Sequence, residues 1–468
     1  MKKLLFISIL GLPPLFVCAQ YTTVVTEKVG ACFPDLSTTY AVRNCTGKNI
    51  AVTYTFGPSG KAAFCAMEYD DYTSGVPSPS FPLYSVPLPT QLKGIGDFRI
   101  IGDYVCFGGP SATLYPPHFT TDFFGFFKLS ELMSGTTVNF KLIQANDIVI
   151  EKIEGFQDNY GFKVFALGYY FKPNPVDTNE FYAILEVDDP PAASGYTIKH
   201  DPISQQNPGN GFFDDIVILD DKVVFVGSHL DLAPPYPYTC WGPIKMRWVD
   251  KTLGINDPQL DTIYYQTATG PQPEYELNSR ISAKPIDGKT FVIGYTNTER
   301  TTGISTRRVR VFDNNLNNFV SQKYPIYSKL GLYEMVYNRK GETLTVLEPD
   351  GVTSRFVFTH PLNTAPYAAL TLQDANNYHY YLDTISNYQF VSTQRDRWTF
   401  QVADQISYIS GVNTNSCIEN SGLEVNIIPE LKKTEDYDNL ILETPTPVAA
   451  YPIGNVISCT LPVICVSE

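Results

Sequence analysis

The chain has 468 residues, a formal net charge of −14 and no dense basic stretch, which argues against nucleic acid or an anionic membrane as a partner. Tyr (31), Phe (29), Pro (35) and Gly (32) are plentiful while Met (5) is scarce, a composition that favours strands and turns over helices. No later segment reaches 18 uninterrupted apolar residues, so no helical membrane span is expected.

Residues 1–19 have the layout of a secretory signal peptide. Lys2 and Lys3 supply the positive start, Leu4 to Val17 the short apolar core, and Val17 to Ala19 a small-residue cleavage site. The alternative is a lipoprotein signal acylated at Cys18, for which Phe16 and Val17 are poor neighbours. Export would place the protein in the periplasm, at the cell surface or outside the cell. Of nine cysteines, all but Cys18 would remain, an even number that fits disulfides. Cys32 with Cys45, and Cys459 with Cys465 or Cys417, have the placement of terminal staples. Cys65 and Cys106 fall inside expected strands, where a buried thiol accounts for them.

From about residue 45 onward one pattern recurs. An apolar strand is followed by a tight polar turn and a second apolar strand that often ends in glycine. Clear copies are Phe98–Gly108, Ile216–Gly227 and Ile281–Gly294. The second strands fall at Ala62–Ala66, Tyr104–Gly108, Phe162–Gly168, Val223–Gly227, Thr290–Gly294, Thr343–Glu348 and Tyr388–Ser392. The turns before them hold Gly, Asn and Asp, which tolerate the positive φ of tight hairpins. A third strand follows in most units, as at Phe126–Leu129, Ala183–Asp188, Ile244–Asp250 and Val309–Asp313. A fourth is expected at Thr137–Ile143 and Phe319–Ile326.

Four-stranded units repeated at this spacing resemble the β-propeller superfamily over residues 45 to 410. The resemblance implies an all-β ring of seven blades, with the irregular late units leaving six to eight open. No blade motif of a named family recurs, so no site residues carry over. The domain division is then 1–19 signal peptide, 20–410 propeller, and 411–468 a C-terminal β segment. Strand-like runs at Leu423–Ile428 and Val456–Val466, or the N-terminal Tyr21–Val29, are candidates to close the ring; packing on the rim is the alternative.

In a propeller the loops between second and third strands share one face with the loops that lead into first strands. Here those loops are long and rich in Pro and aromatics, at 109–120, 169–175 and 228–241. Tyr115, Tyr169, Tyr170, Tyr236, Tyr238, Trp241 and Tyr295 are the candidate ligand contacts, with His118, His229, Asp97, Asp215 and Arg280 as polar partners. Packing of these aromatics onto the blade ends is the competing explanation. The leading expectation is a non-enzymatic propeller that binds a glycan or protein.

No nucleophile–base signature, zinc spacing or phosphate loop is present, and no cofactor or metal is expected. Asp313, Asn315 and Asn317 have a calcium loop's spacing but lack its glycine and its bidentate Glu, so a polar turn explains them better. A second expectation is a carbohydrate-active hydrolase or lyase using Asp97, Asp215 and Glu334 at the starts of first strands. A third is a surface-assembly scaffold.

Overall fold

The structure is a computed structural model. It describes residues 23–28, 38–45, 50–56, 62–68, 80–110, 122–145, 148–171, 180–193, 195–202, 212–231, 240–257, 260–266, 276–278, 281–299, 305–325, 334–338, 343–349, 353–359, 368–373, 377–386, 389–396, 405–410, 424–425, 430–436, 454–455, 457–462 and 464–466, with most described side chains between 50 and 344. Among these residues, the strands form seven antiparallel sheets of four or more strands and one two-stranded ribbon.

In chain order, blade 1 pairs Thr38–Cys45, Ile50–Phe56, Ala62–Glu68 and Ser80–Pro87. Blade 2 pairs Asp97–Ile101, Tyr104–Pro110, Asp122–Lys128 and Lys141–Ala145. Blade 3 pairs Ile148–Asp158, Gly161–Phe171, Glu180–Asp188 and Thr197–Pro202. Blade 4 pairs Phe212–Ile218, Lys222–Asp231, Cys240–Asp250 and Leu260–Gln266. Blade 5 is built on Ser282–Pro285, Thr290–Glu299, Ser305–Asp313 and Asn318–Pro325. Blade 6 pairs Glu334–Asn338, Thr343–Pro349, Thr353–Thr359 and Ala368–Gln373. Blade 7 pairs Asn377–Ser386, Gln389–Asp396 and Gln405–Ser410 with the N-terminal Thr23–Lys28 as its fourth strand.

The first strands neighbour one another in a closed cycle, blade 1 beside blade 2 and so on until blade 7 meets blade 1. Antiparallel four-stranded sheets arrayed this way make the chain a β-propeller.

The sequence dictates this through its apolar alternation. Blades 2 to 4 bury both faces against their neighbours, so the core there lies between blades. One cluster joins Val52 and Phe64 of blade 1 to Phe98, Phe107 and Phe127 of blade 2. Others join blades 2 and 3, blades 3 and 4, and blades 4 and 5. Phe64 meets Phe98 edge-on with centroids 5.4 Å apart. Each such ring contributes about 1.5–3 kcal/mol by burial. The recurring glycine has a steric cause. A Cβ on Gly108 would lie 2.5 Å from the Ile150 side chain of blade 3, and one on Gly168 only 2.1 Å from the Val149 carbonyl oxygen of its own inner strand.

The C-terminal strands run round the outer rim. Glu424–Val425 extends blade 5, Glu430–Asp436 blade 4, Ile457–Pro462 blade 1 and Ile464–Val466 blade 7. Gly454–Asn455 pairs Thr137–Val138 beside blade 2. Glu430–Asp436 has no apolar alternation, which hid it from sequence; its charges suit an outermost edge, where they discourage further strand pairing.

Two expected elements need correction. Ala62–Ala66 is part of the third strand of blade 1, and Ile50–Phe56 is the second. A strand–turn–strand pattern looks alike for either pair, so the first unit was offset by one strand. The expected Thr137–Ile143 strand is broken at Asn139 and Phe140: Thr137–Val138, which follows the short helix Leu129–Met133, pairs elsewhere. Only Lys141–Ala145 joins blade 2.

Candidate functional site

Because strands alternate in direction, the starts of first strands, the ends of second strands and the starts of third strands share one end of the ring. That end carries both candidate sets. Asp97 begins the first strand of blade 2, in register with Gly108. Asp215 lies in the first strand of blade 4, in register with Val226 just past a bulge. Glu334 begins the first strand of blade 6, in register with Leu347.

Around the axis, the inner strands of blades 2 to 5 are tied by charge. Arg99 donates to Asp97 Oδ1 at 3.3 Å and to Glu154 Oε2 at 3.2 Å, bridging blades 2 and 3. Lys152 meets Asp215 Oδ1 at 3.1 Å, bridging blades 3 and 4. The carboxylates also take backbone donors from the next blade. Asp97 Oδ2 accepts the Ile153 N–H at 2.9 Å. Asp215 Oδ2 accepts the Ala283 N–H at 2.8 Å, and Asp214 Oδ2 accepts that of Ile281 at 3.1 Å. In the same way Glu186 Oε2 accepts the Ile255 N–H at 2.6 Å while Lys163 donates to Oε1 at 2.7 Å.

Asp215 is 1 % exposed. Burial alone would push its carboxyl up, but Lys152, Lys284, the Ala283 N–H and Arg99 together hold it well below the usual range. It therefore stays ionised near neutral pH and is unsuited to donate a proton there, which a general acid must do. Further out, buried cations lie over rings: Lys245 at 4.9 Å and Arg247 at 5.2 Å from the Phe213 centroid.

The aromatic candidates separate into three groups. Tyr169 and Tyr170 lie near the end of the second strand of blade 3, in register with Tyr182 and Phe181 of the third. In blade 4, His229 sits at a bulge between Ser228 and Leu230, and Trp241 is registered with Leu230. Tyr115, His118, Tyr236, Tyr238 and Arg280 lie outside the described residues. Tyr295 is a correction. It is 1 % exposed and packs in the core between blades 4 and 5, with Arg310 over its ring at 5.7 Å, because its strand continues inside the sheet past Gly294.

Other expectations meet simple structural roles. Cys65 and Cys106 are buried thiols, and burial pushes Cys106 far up, leaving it unreactive. The expected staple cysteines lie outside the described side chains. Asp313 caps its own turn, accepting the N–H groups of Asn315 and Asn317 at 2.9 and 2.8 Å. Among the described residues no cluster of three or more His, Cys, Asp or Glu could hold a metal, and no helix is long and apolar enough to cross a membrane. Arg99, Lys152 and Glu154 were missed in the sequence. Their signal was charge at alternate positions of otherwise apolar strands, as in Asp97–Arg99 and Lys152–Glu154.

No protein-family model matches the chain, and no curated protein matches it. Among solved structures, it is similar to the structure of the Dos1 propeller, with a TM-score of 0.43 at 10% identity over 85% of this chain and 97% of that one. It is also similar to Drosophila Plexin A in complex with Semaphorin 1b, with a TM-score of 0.39 at 9% identity over 84% of this chain and 87% of that one. At such identities neither speaks to ligand or activity; the propeller assignment rests on the sheets and their cyclic order.

Proposed function

We propose that this chain is an exported binding propeller that holds a glycan or an extended polypeptide on the face formed by its second-to-third-strand connections. The observation that carries this is the placement of four candidates at one end of blades 3 and 4. Tyr169 and Tyr170 lie near the end of Gly161–Phe171, His229 near the end of Lys222–Asp231 and Trp241 near the start of Cys240–Asp250. Tyr and Trp on a rigid sheet supply large contact area with little entropy to lose. Of the other expectations, the hydrolase or lyase is weakened by the ion-paired, strongly acidic state of Asp215. A scaffold that docks through Val456–Val466 is weakened because Ile457–Pro462 and Ile464–Val466 are already paired in blades 1 and 7.

The test is a glycan array and a pull-down with residues 20–468, repeated with Tyr170→Ala and Trp241→Ala. Each substitution should weaken ligand capture at least tenfold, about 1.4 kcal/mol, with the melting temperature nearly unchanged. A large fall in melting temperature with capture intact would assign these residues to packing instead.

A further inference from the structure

Asp122 opens the third strand of blade 2 and is 1 % exposed. Its Oδ2 accepts the Ile150 N–H of blade 3 at 2.7 Å, while its Oδ1 is buried with no hydrogen-bond partner among the described residues. Ile150 is a tight point of this seam. A Cβ on Gly96 would come within 2.6 Å of its carbonyl oxygen, and one on Gly108 within 2.5 Å of its Cγ2. The strand register also slips between Ile150 and Lys152.

Charged groups on the surrounding strands are engaged elsewhere. On the inner strand of blade 2, Asp97 and Arg99 bond each other. On the inner strand of blade 3, Lys152 pairs with Asp215 and Glu154 with Arg99, while Glu151 is exposed. On the fourth strand of blade 2, Lys141 donates to the Pro190 and Pro191 carbonyls. On the second, burial keeps the Cys106 thiol protonated, and Tyr104 lies at the far end; Lys128 of Asp122's own strand is exposed.

We propose that Asp122 is a proton-operated latch of the seam between blades 2 and 3. Neutral, the side chain lets the seam close round Ile150. Ionised, having released its proton to solvent, it loosens the seam so that Oδ1 can reach a donor. Burial supports this by raising its carboxyl to about 7, with the Ile150 N–H pulling the other way. The closed value lies above the open one. The constant for opening should therefore rise about tenfold per pH unit between roughly pH 4 and pH 7, then level off.

Amide hydrogen exchange at Ile150, corrected for its intrinsic pH dependence, reads this directly. Ala283 is the internal reference, because its N–H is held across the seam between blades 4 and 5 by the ion-paired Asp215. Between pH 5 and 7 the protection of Ile150 should fall by roughly 50-fold, while Ala283 and the Ile150 amide of Asp122→Asn stay flat. An equal slope at Ala283, or the same slope in the variant, overturns the latch. Should Asp122→Asn not fold, carbon-13 titration of the wild-type Asp122 carboxyl decides: a midpoint near 7 supports the latch and one below 5 sinks it.

Discussion

Asp122, between blades 2 and 3, and Asp215, between blades 4 and 5, are both about 1 % exposed, and both accept a backbone N–H from the next blade's inner strand. Their acidities part in opposite directions. Asp215 stands beside Lys152 with Lys284 and Arg99 in range, and is held well below the carboxylate norm. Among the described residues Asp122 has one N–H donor and no cation, and is raised to about 7. Burial is common to both, so what decides charge in this ring is whether a cation from a neighbouring blade reaches the carboxylate. Near the axis the seams are built to keep charge; on the third strand of blade 2, the surroundings of Asp122 resist it.

The largest effect should come from removing the cation. Lys152→Met leaves Asp215 buried beside a lost partner and should cost about 3–5 kcal/mol in urea unfolding at pH 7. The double variant with Asp215→Asn should cost less than the sum of the two singles, and strict additivity would mean the pair is not coupled. Next in size, Asp122→Asn should stabilise the protein at pH 8 by about 2–4 kcal/mol and do little at pH 4. The sign follows from the folded value lying above the unfolded one: the stability Asp122 contributes is present below about pH 4 and is lost as pH rises to about 7. Asp215 works the other way, adding stability that is present above its unfolded value near 3.8 and lost as acid protonates it.

Gly108→Ala probes the steric side of the same seam. Its methyl group would press on Ile150 and should lower stability by about 1–3 kcal/mol, in a thermal or urea melt. The smallest change is expected for Glu154→Gln, since that side chain is 26% exposed and its pairing with Arg99 is partly screened. A loss under about 1 kcal/mol fits; a larger one would make the Arg99 bridge as strong as the Lys152 one.

The fold was legible because hairpins, polar turns and strand-ending glycines are local features, and Gly108 answers to a close approach of the next blade. The first blade was misread because its glycine-bearing turn joins the second and third strands. The acidic residues Asp97 and Asp215 were visible at the inner strand starts. Their partners were not, since Lys152 reaches Asp215 from the neighbouring blade and the Ile153 and Ala283 donors are backbone groups that no sequence pattern marks. Tyr295 looked like a loop aromatic because glycine was taken to end the strand, whereas the strand runs on to Glu299.

Blade 7 draws its strands from both ends of the chain, with Thr23–Lys28 lying between Gln405–Ser410 and Ile464–Val466. During synthesis the earliest of these segments must wait for the latest. Ring closure therefore waits until Gln405–Ser410 has been made, and its rate is governed by the search for contacts between segments far apart in the sequence. Until then Thr23–Lys28 has unpaired edges, and the growing molecule is an open arc whose two ends can each find a wrong neighbour.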